Sequence, residues 1–159
     1  MKAISSSSIS LDPYRAGTEI GNQLASIQPE IIFIFSSIHY EGSPELIEAI
    51  YDVIDSDQLI VIGNTGDGFF EKDKVAGVGV SALAINSGRK VKWHLSVESG
   101  INKDPQGATK KCLSKLNKCC SSDPVFYFLA ADFRTDASTI ISSLGKAALG
   151  PVIGGLAGD

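Results

Sequence analysis

The run Val61-Ile62-Gly63-Asn64-Thr65-Gly66-Asp67 has a counterpart at the end of the chain, Val152-Ile153-Gly154-Gly155-Leu156-Ala157-Gly158-Asp159. Each is a short β-branched run giving way to glycines and closing on aspartate, the pattern of a strand that ends in a tight loop. Working outward, a displacement of 92 positions carries Asp12-Pro13 onto Asp104-Pro105, Ser7 onto Ser99, Ile9 onto Ile101, Ala16 onto Ala108 and Leu24 onto Leu116. After a three-residue insertion, Pro29 meets Pro124 and Phe33 meets Phe128. An Asp-Pro helix start alone is commonplace. Helix starts, strand prolines and glycine-aspartate loops in one order, twice, imply a duplicated unit spanning approximately 1–68 and 91–159.

Apolar blocks at 31–35, 59–62, 75–85, 91–97, 125–131 and 151–153 read as strands. Helical spacing recurs between most of them. One helix starts at Asp12-Pro13 and carries Ala16, Ile20, Leu24 and Ile27 on one face. A second starts at Ser43-Pro44, a third at Asp104-Pro105, and a fourth spans roughly 136–149. The fold class is therefore α/β, a β-α-β-α-β unit used twice, with a mostly parallel or mixed sheet and packed helices. Only 75–85 and 91–97 break the alternation. Asn86-Ser87-Gly88-Arg89 between them is turn-like, so this pair is expected to form an antiparallel hairpin (75–97) joining the copies. The chain closes directly after a strand, which predicts a first domain with more to follow.

At 159 residues and 43% hydrophobic the chain can bury a substantial core, and composition allows a single compact unit. A net charge of −4 argues against nucleic acid as a partner. Five lysines between 103 and 118 fit the wet side of a helix. No stretch approaches the roughly 18 apolar residues of a membrane span, and no signal-peptide run opens the chain. Cys112, Cys119 and Cys120 lie too close together for a disulfide framework, so reduced thiols in a cytoplasmic setting are expected. Neither His39 nor His94 is near enough in sequence to complete a metal set with them, and neither a metal nor another cofactor is implied.

The closing run Gly154-Gly155-Leu156-Ala157-Gly158-Asp159, preceded by Pro151-Val152-Ile153, resembles a signature of the FIST N-terminal domain. The Asp12-Pro13 helix opening with Gln23-Leu24, and the strand end Phe33-Ile34-Phe35-Ser36-Ser37, are similar to that family too. Ile62-Gly63-Asn64-Thr65-Gly66-Asp67 looks like its strand-then-glycine loop, departing at Asn64, where a small or sulfur residue is usual, and at Asp67, where glutamate is. The resemblance implies a sensory domain of signal-transduction proteins that binds small polar ligands, amino acids among them, and passes the signal to an output domain or protein. It also implies a second, C-terminal FIST domain.

Loops leaving the carboxyl ends of parallel strands gather along one edge, the usual ligand position in open α/β sheets. Ser36, Ser37, Asn64, Thr65, Gly66 and Asp67 of the first copy belong to that edge, as do Arg134, Gly154, Gly155 and Asp159 of the second. Two roles fit the equivalent residues Asp67 and Asp159: binding a ligand ammonium, or capping their own glycine turns. Ser36 and Ser37 either donate to a carboxylate or simply end a strand. Arg134, equivalent to His39, either clamps a carboxylate bidentately or is an exposed loop arginine. The glycines at 63, 66 and 68 match neither dinucleotide nor P-loop spacing. The alternatives are an enzyme pairing Ser36 or Ser37 with His39, for which no G-x-S-x-G turn is present, and a structural half of a larger assembly without ligand. No catalytic residue is assigned.

Overall fold

Three strands, β1 (Lys2–Ser8), β2 (Ile31–Ser37) and β3 (Ile60–Gly66), alternate with helices α1 (Pro13–Leu24) and α2 (Glu45–Ile54). The computed structural model describes residues 1–158. A short hairpin follows, β4 (Phe69–Glu71) and β5 (Lys74–Ala76), and then β6 (Val80–Asn86). The remainder runs α3 (Pro105–Cys119), β7 (Tyr127–Ala131), α4 (Ala137–Ala147) and β8 (Val152–Leu156). The fold is α/β with a mixed sheet, divided into two compact units: 1–93 with Gly158, and 94–157.

In the first unit four strands lie in the order β1-β6-β2-β3. β2 and β3 are parallel, and β6 runs antiparallel to both β1 and β2. One face of this sheet carries Ile32, Ile34, Val80, Ala82 and Ala84, which pack with Ala16, Ile20, Leu24, Leu46 and Ile50 of the helices. Ile20, Leu24, Ile32 and Ile50 are completely buried, each contributing about 1.5–3 kcal/mol of apolar burial. The start of α1 is fixed by the Asp12 carboxylate, which accepts from the Arg15 amide at 2.7 Å, and by Pro13 in the first turn. Gly17 and Gly21 let α1 and α2 approach closely: a Cβ on Gly17 would stand 2.3 Å from the Leu46 carbonyl oxygen. α2 ends where Asp55 turns left-handed at φ 49°.

The hairpin expected over 75–97 does not form. The block at 75–85 is two strands, β5 and β6, broken at Gly77-Val78-Gly79, where Gly79 takes φ +138°. β6 already pairs on both edges, with β1 and β2, so no ladder position is left for 91–97, which contains no strand. Instead the chain turns left-handed at Gly88 and Arg89 (φ 69° and 61°) and folds around the Glu30 carboxylate. That carboxylate accepts from the Ser87 amide and hydroxyl, from the Arg89 amide at 2.8 Å and from the Trp93 indole at 3.2 Å. Side-chain acceptance has replaced strand pairing as the way this segment satisfies its amides.

The second unit pairs β7 and β8 in parallel, with Leu113, Tyr127, Ala131, Ile140 and Leu144 as its core. Asp104 and Asp136 cap α3 and α4 by accepting from Gly107 and from Ser138 and Thr139. Hydrogen bonds from the Thr139 and Ser138 hydroxyls hold the Asp136 carboxyl at about 2, well below its ordinary value. Because 91–97 is not a strand, this copy is α-β-α-β and lacks an equivalent of β1. What it shares with the first copy is register. Phe33 pairs with Ile62 and Ile34 with Gly63; Phe128 pairs with Ile153 and Leu129 with Gly154. These are the residues that the sequence repeat equates. The reason for glycine is shared as well, since a Cβ would meet the facing carbonyl oxygen at 1.5 Å on Gly63 and 2.0 Å on Gly154.

Candidate functional site

The carboxyl ends of β2 and β3 close in step. Phe35 faces Asn64, Ser36 faces Thr65 and Ser37 faces Gly66 across the parallel pair. Directly paired residues share a face of the sheet. Ser36 and Thr65 therefore continue the helix-covered face beyond Ile34 and Gly63, while Asn64, Gly66 and Ser37 belong to the opposite one. All but Ser37 are half-buried, and Asp67, the first residue past β3, is exposed. Six candidate residues of the first unit are thus brought to one strand edge, distributed over both faces of the sheet.

Ser37 has a clear local role. It is 1% exposed, its hydroxyl oxygen accepts from the Gly79 amide at 3.1 Å, and its own amide donates to the Gly79 carbonyl at 2.8 Å. The pair locks the entry of β6 onto the end of β2, so this hydroxyl sits beneath the edge and not on it. Gly79 tolerates no side chain there: a Cβ would lie 2.4 Å from the Phe69 ring and 2.5 Å from the Ser8 carbonyl oxygen. His39 is exposed in the turn Ile38–Tyr40. The glycine loop is also a place of close backbone approach. The Gly158 amide donates to the Thr65 carbonyl at 3.0 Å, and a Cβ on Gly158 would lie 3.1 Å from the Gly66 Cα. Asp159, the counterpart of Asp67, lies outside the described residues.

Behind this edge the β4–β5 hairpin is pinned to the sheet by Glu71, which is 7% exposed. Its carboxylate accepts from the Ser5 hydroxyl at 2.6 Å and the Ser7 hydroxyl at 3.3 Å, with the Lys72 ammonium 3.4 Å away. The Ser5 hydroxyl foremost, and then Lys72, hold this carboxyl below its ordinary value. Sequence reading missed this anchor, although alternate serines on β1 facing an isolated buried acid are its trace.

Arg134, Gly154 and Gly155 belong to the second unit. Arg134 follows β7, where its guanidinium grips Asp132 with two near-parallel bonds, Nε to Oδ1 at 3.0 Å and Nη2 to Oδ2 at 2.9 Å. Arg134 also lies 5.7 Å from the centroid of the Phe133 ring, and its guanidinium keeps the Asp132 carboxyl low. The guanidinium is thus occupied by a neighbouring carboxylate of its own loop. The D-x-R spacing was the signal for it. Gly154 and Gly155 face an apolar cleft of about 480 Å³ between α4 and β8. Among the described residues no group of three His, Cys, Asp or Glu could hold a metal ion, and no helix is long and apolar enough to cross a membrane.

The family model for the FIST N domain matches residues 30–159, from the residue before β2 to the chain end. The chain belongs to the FIST N domain family. FIST domains are sensory domains. No curated protein and no solved structure matches the chain. The match takes in both parallel pairs, both glycine loops and every candidate residue, whereas β1 and the Asp12-Pro13 helix precede it. Within this FIST domain, then, the matched segment holds the elements that build the strand edge.

Proposed function

We propose that this FIST domain binds a small polar molecule, an amino acid or related carboxylate, at the edge formed by the ends of β2 and β3, and chemically transforms nothing. Occupancy would be passed to an output domain or partner protein. The observation that carries the reading is the in-step closure of the parallel pair. It sets the Ser36 and Thr65 side chains next to one another, immediately before the Gly66-Asp67-Gly68 loop. Two hydroxyls suit a carboxylate, and an exposed aspartate suits an ammonium. Ser37, committed to Gly79, serves as a brace for the edge.

The test is a thermal-shift screen of the protein against the amino acids and small carboxylates, repeated on Asp67→Ala and Ser36→Ala. A ligand at 100 times its Kd stabilises the fold by about 2.7 kcal/mol. The reading predicts a hit lost in both variants. A hit that both variants retain in full would remove the ligand from this edge.

A further inference from the structure

We infer that the β4–β5 hairpin is a flap, hinged at Gly66 and Gly77 and latched by Glu71, that regulates the strand edge beside it. Its role as a regulator rests on that edge being the ligand site; its motion does not. Among the described residues the hairpin shares no strand pairing with the four-stranded sheet. Phe69 and Glu71 turn inward and are buried, whereas Phe70 and Val75, directly opposite one another, are 80% and 83% exposed. The inward pair fastens the hairpin. Glu71 holds the Ser5 and Ser7 hydroxyls of β1, and the Phe69 ring lies against Gly79.

The latch is of a kind that releases. Burying a carboxylate is costly, and well-packed apolar residues in its place commonly hold as well or better, so a permanent cover would be fastened by an apolar side chain. Glu71 and its serines are groups that water solvates readily once they part. The two legs of the hairpin carry the hinges. Gly66 and Gly77 lack the left-handed backbone that would require glycine, and a Cβ would find its nearest neighbour at 3.8 Å on Gly66 and 3.9 Å on Gly77, an ordinary contact. Packing therefore does not account for them, and the freedom of a glycine backbone does. Both legs are rooted in the candidate edge. One leaves through Gly66 and Asp67, and the other returns to Gly79, whose amide and carbonyl are both bonded to Ser37. A ligand held by Asp67 would fix the first leg and so favour one position of the flap over the other.

Nitrogen relaxation dispersion on the intact protein tests the motion, with Glu71→Gln and Ser5→Ala as two separate ways of releasing the latch. Glu71→Gln should raise the open population about ten-fold. Amides 67–78 should then share one exchange rate while Ala82 and Ala84 stay flat, and the open-state shifts of Phe70 and Val75 should remain strand-like. Adding Gly77→Ala to Glu71→Gln should reduce the dispersion several-fold. Flat profiles over 67–78 in both latch variants would overturn the flap. So would random-coil shifts in the open state, which would assign the exchange to local melting of the hairpin. The standard amino acids, added as an equimolar mixture, then separate the flap from the ligand reading. Edge amides that shift while the exchange of the hairpin is unchanged would overturn its regulatory role. No shift at the edge would remove the ligand reading and the regulatory role with it, while the dispersion still decides the flap.

Discussion

Replacing Glu30 by glutamine tests whether a single carboxylate, in place of strand pairing, holds the segment that leaves β6. Glu30 accepts four hydrogen bonds, from the Ser87 amide and hydroxyl, the Arg89 amide and the Trp93 indole. Glutamine keeps the shape but turns one oxygen into a donor facing donors. The Ser87 hydroxyl first, then the Arg89 amide, draw the carboxyl from 4.5 down to about 2. At 1.36 kcal/mol per pH unit that displacement has an upper bound of about 3 kcal/mol. Solvent screening at this partly exposed loop reduces it to about 1–2 kcal/mol. The carboxyl is depressed in the folded state, so its contribution is fully present above pH 4.5 and is lost as pH falls from 4.5 towards 2. Trp93 is the only tryptophan and reports directly on the loop. Urea unfolding followed by its fluorescence should show Glu30→Gln less stable by about 1–2 kcal/mol at pH 7, with the gap reduced to roughly half or less by pH 3. A gap of the same size at both pH values, or none at pH 7, would refute the reasoning.

Other outcomes follow from close contacts. Gly63→Ala and Gly154→Ala each force a Cβ into a facing carbonyl oxygen and should each cost about 2–4 kcal/mol in chemical denaturation, whereas Gly155→Ala should be near neutral. Asp12→Ala removes the α1 cap and should cost about 1 kcal/mol by the same measurement. Glu71→Gln loosens the hairpin from Ser5 and Ser7; limited proteolysis should then cut within 69–76 faster than in the parent.

The duplicated parts were the legible ones, because they repeat local chemistry: Asp-Pro caps, β-branched strands, glycine where two strands touch. The paired registers of Ile34 with Gly63 and Leu129 with Gly154 are what that chemistry looks like when folded. The join was illegible for a physical reason. Whether 75–85 pairs with 91–97 or with β1 and β2 is decided by which edges are vacant, a property of the assembled sheet. β1 was weakly marked, since Ser5 to Ser8 give little hydrophobic alternation. At the candidate edge the sequence placed Ser36 and Ser37 at a strand end, where they lie, but could not tell one from the other. One residue of register separates a half-buried hydroxyl from one sealed against Gly79. Arg134 was singled out for a carboxylate, while its internal partner Asp132, two residues back, was overlooked.

The most direct test of the central claim is to map amide chemical shifts of the isotope-labelled protein while titrating the best amino-acid or carboxylate hit. The account predicts saturable changes centred on Ser36, Thr65, Gly66, Asp67 and Gly68, with Ala82 and Ala84 in the sheet centre unmoved. Saturable changes confined to other parts of the chain, with that loop silent, would contradict it.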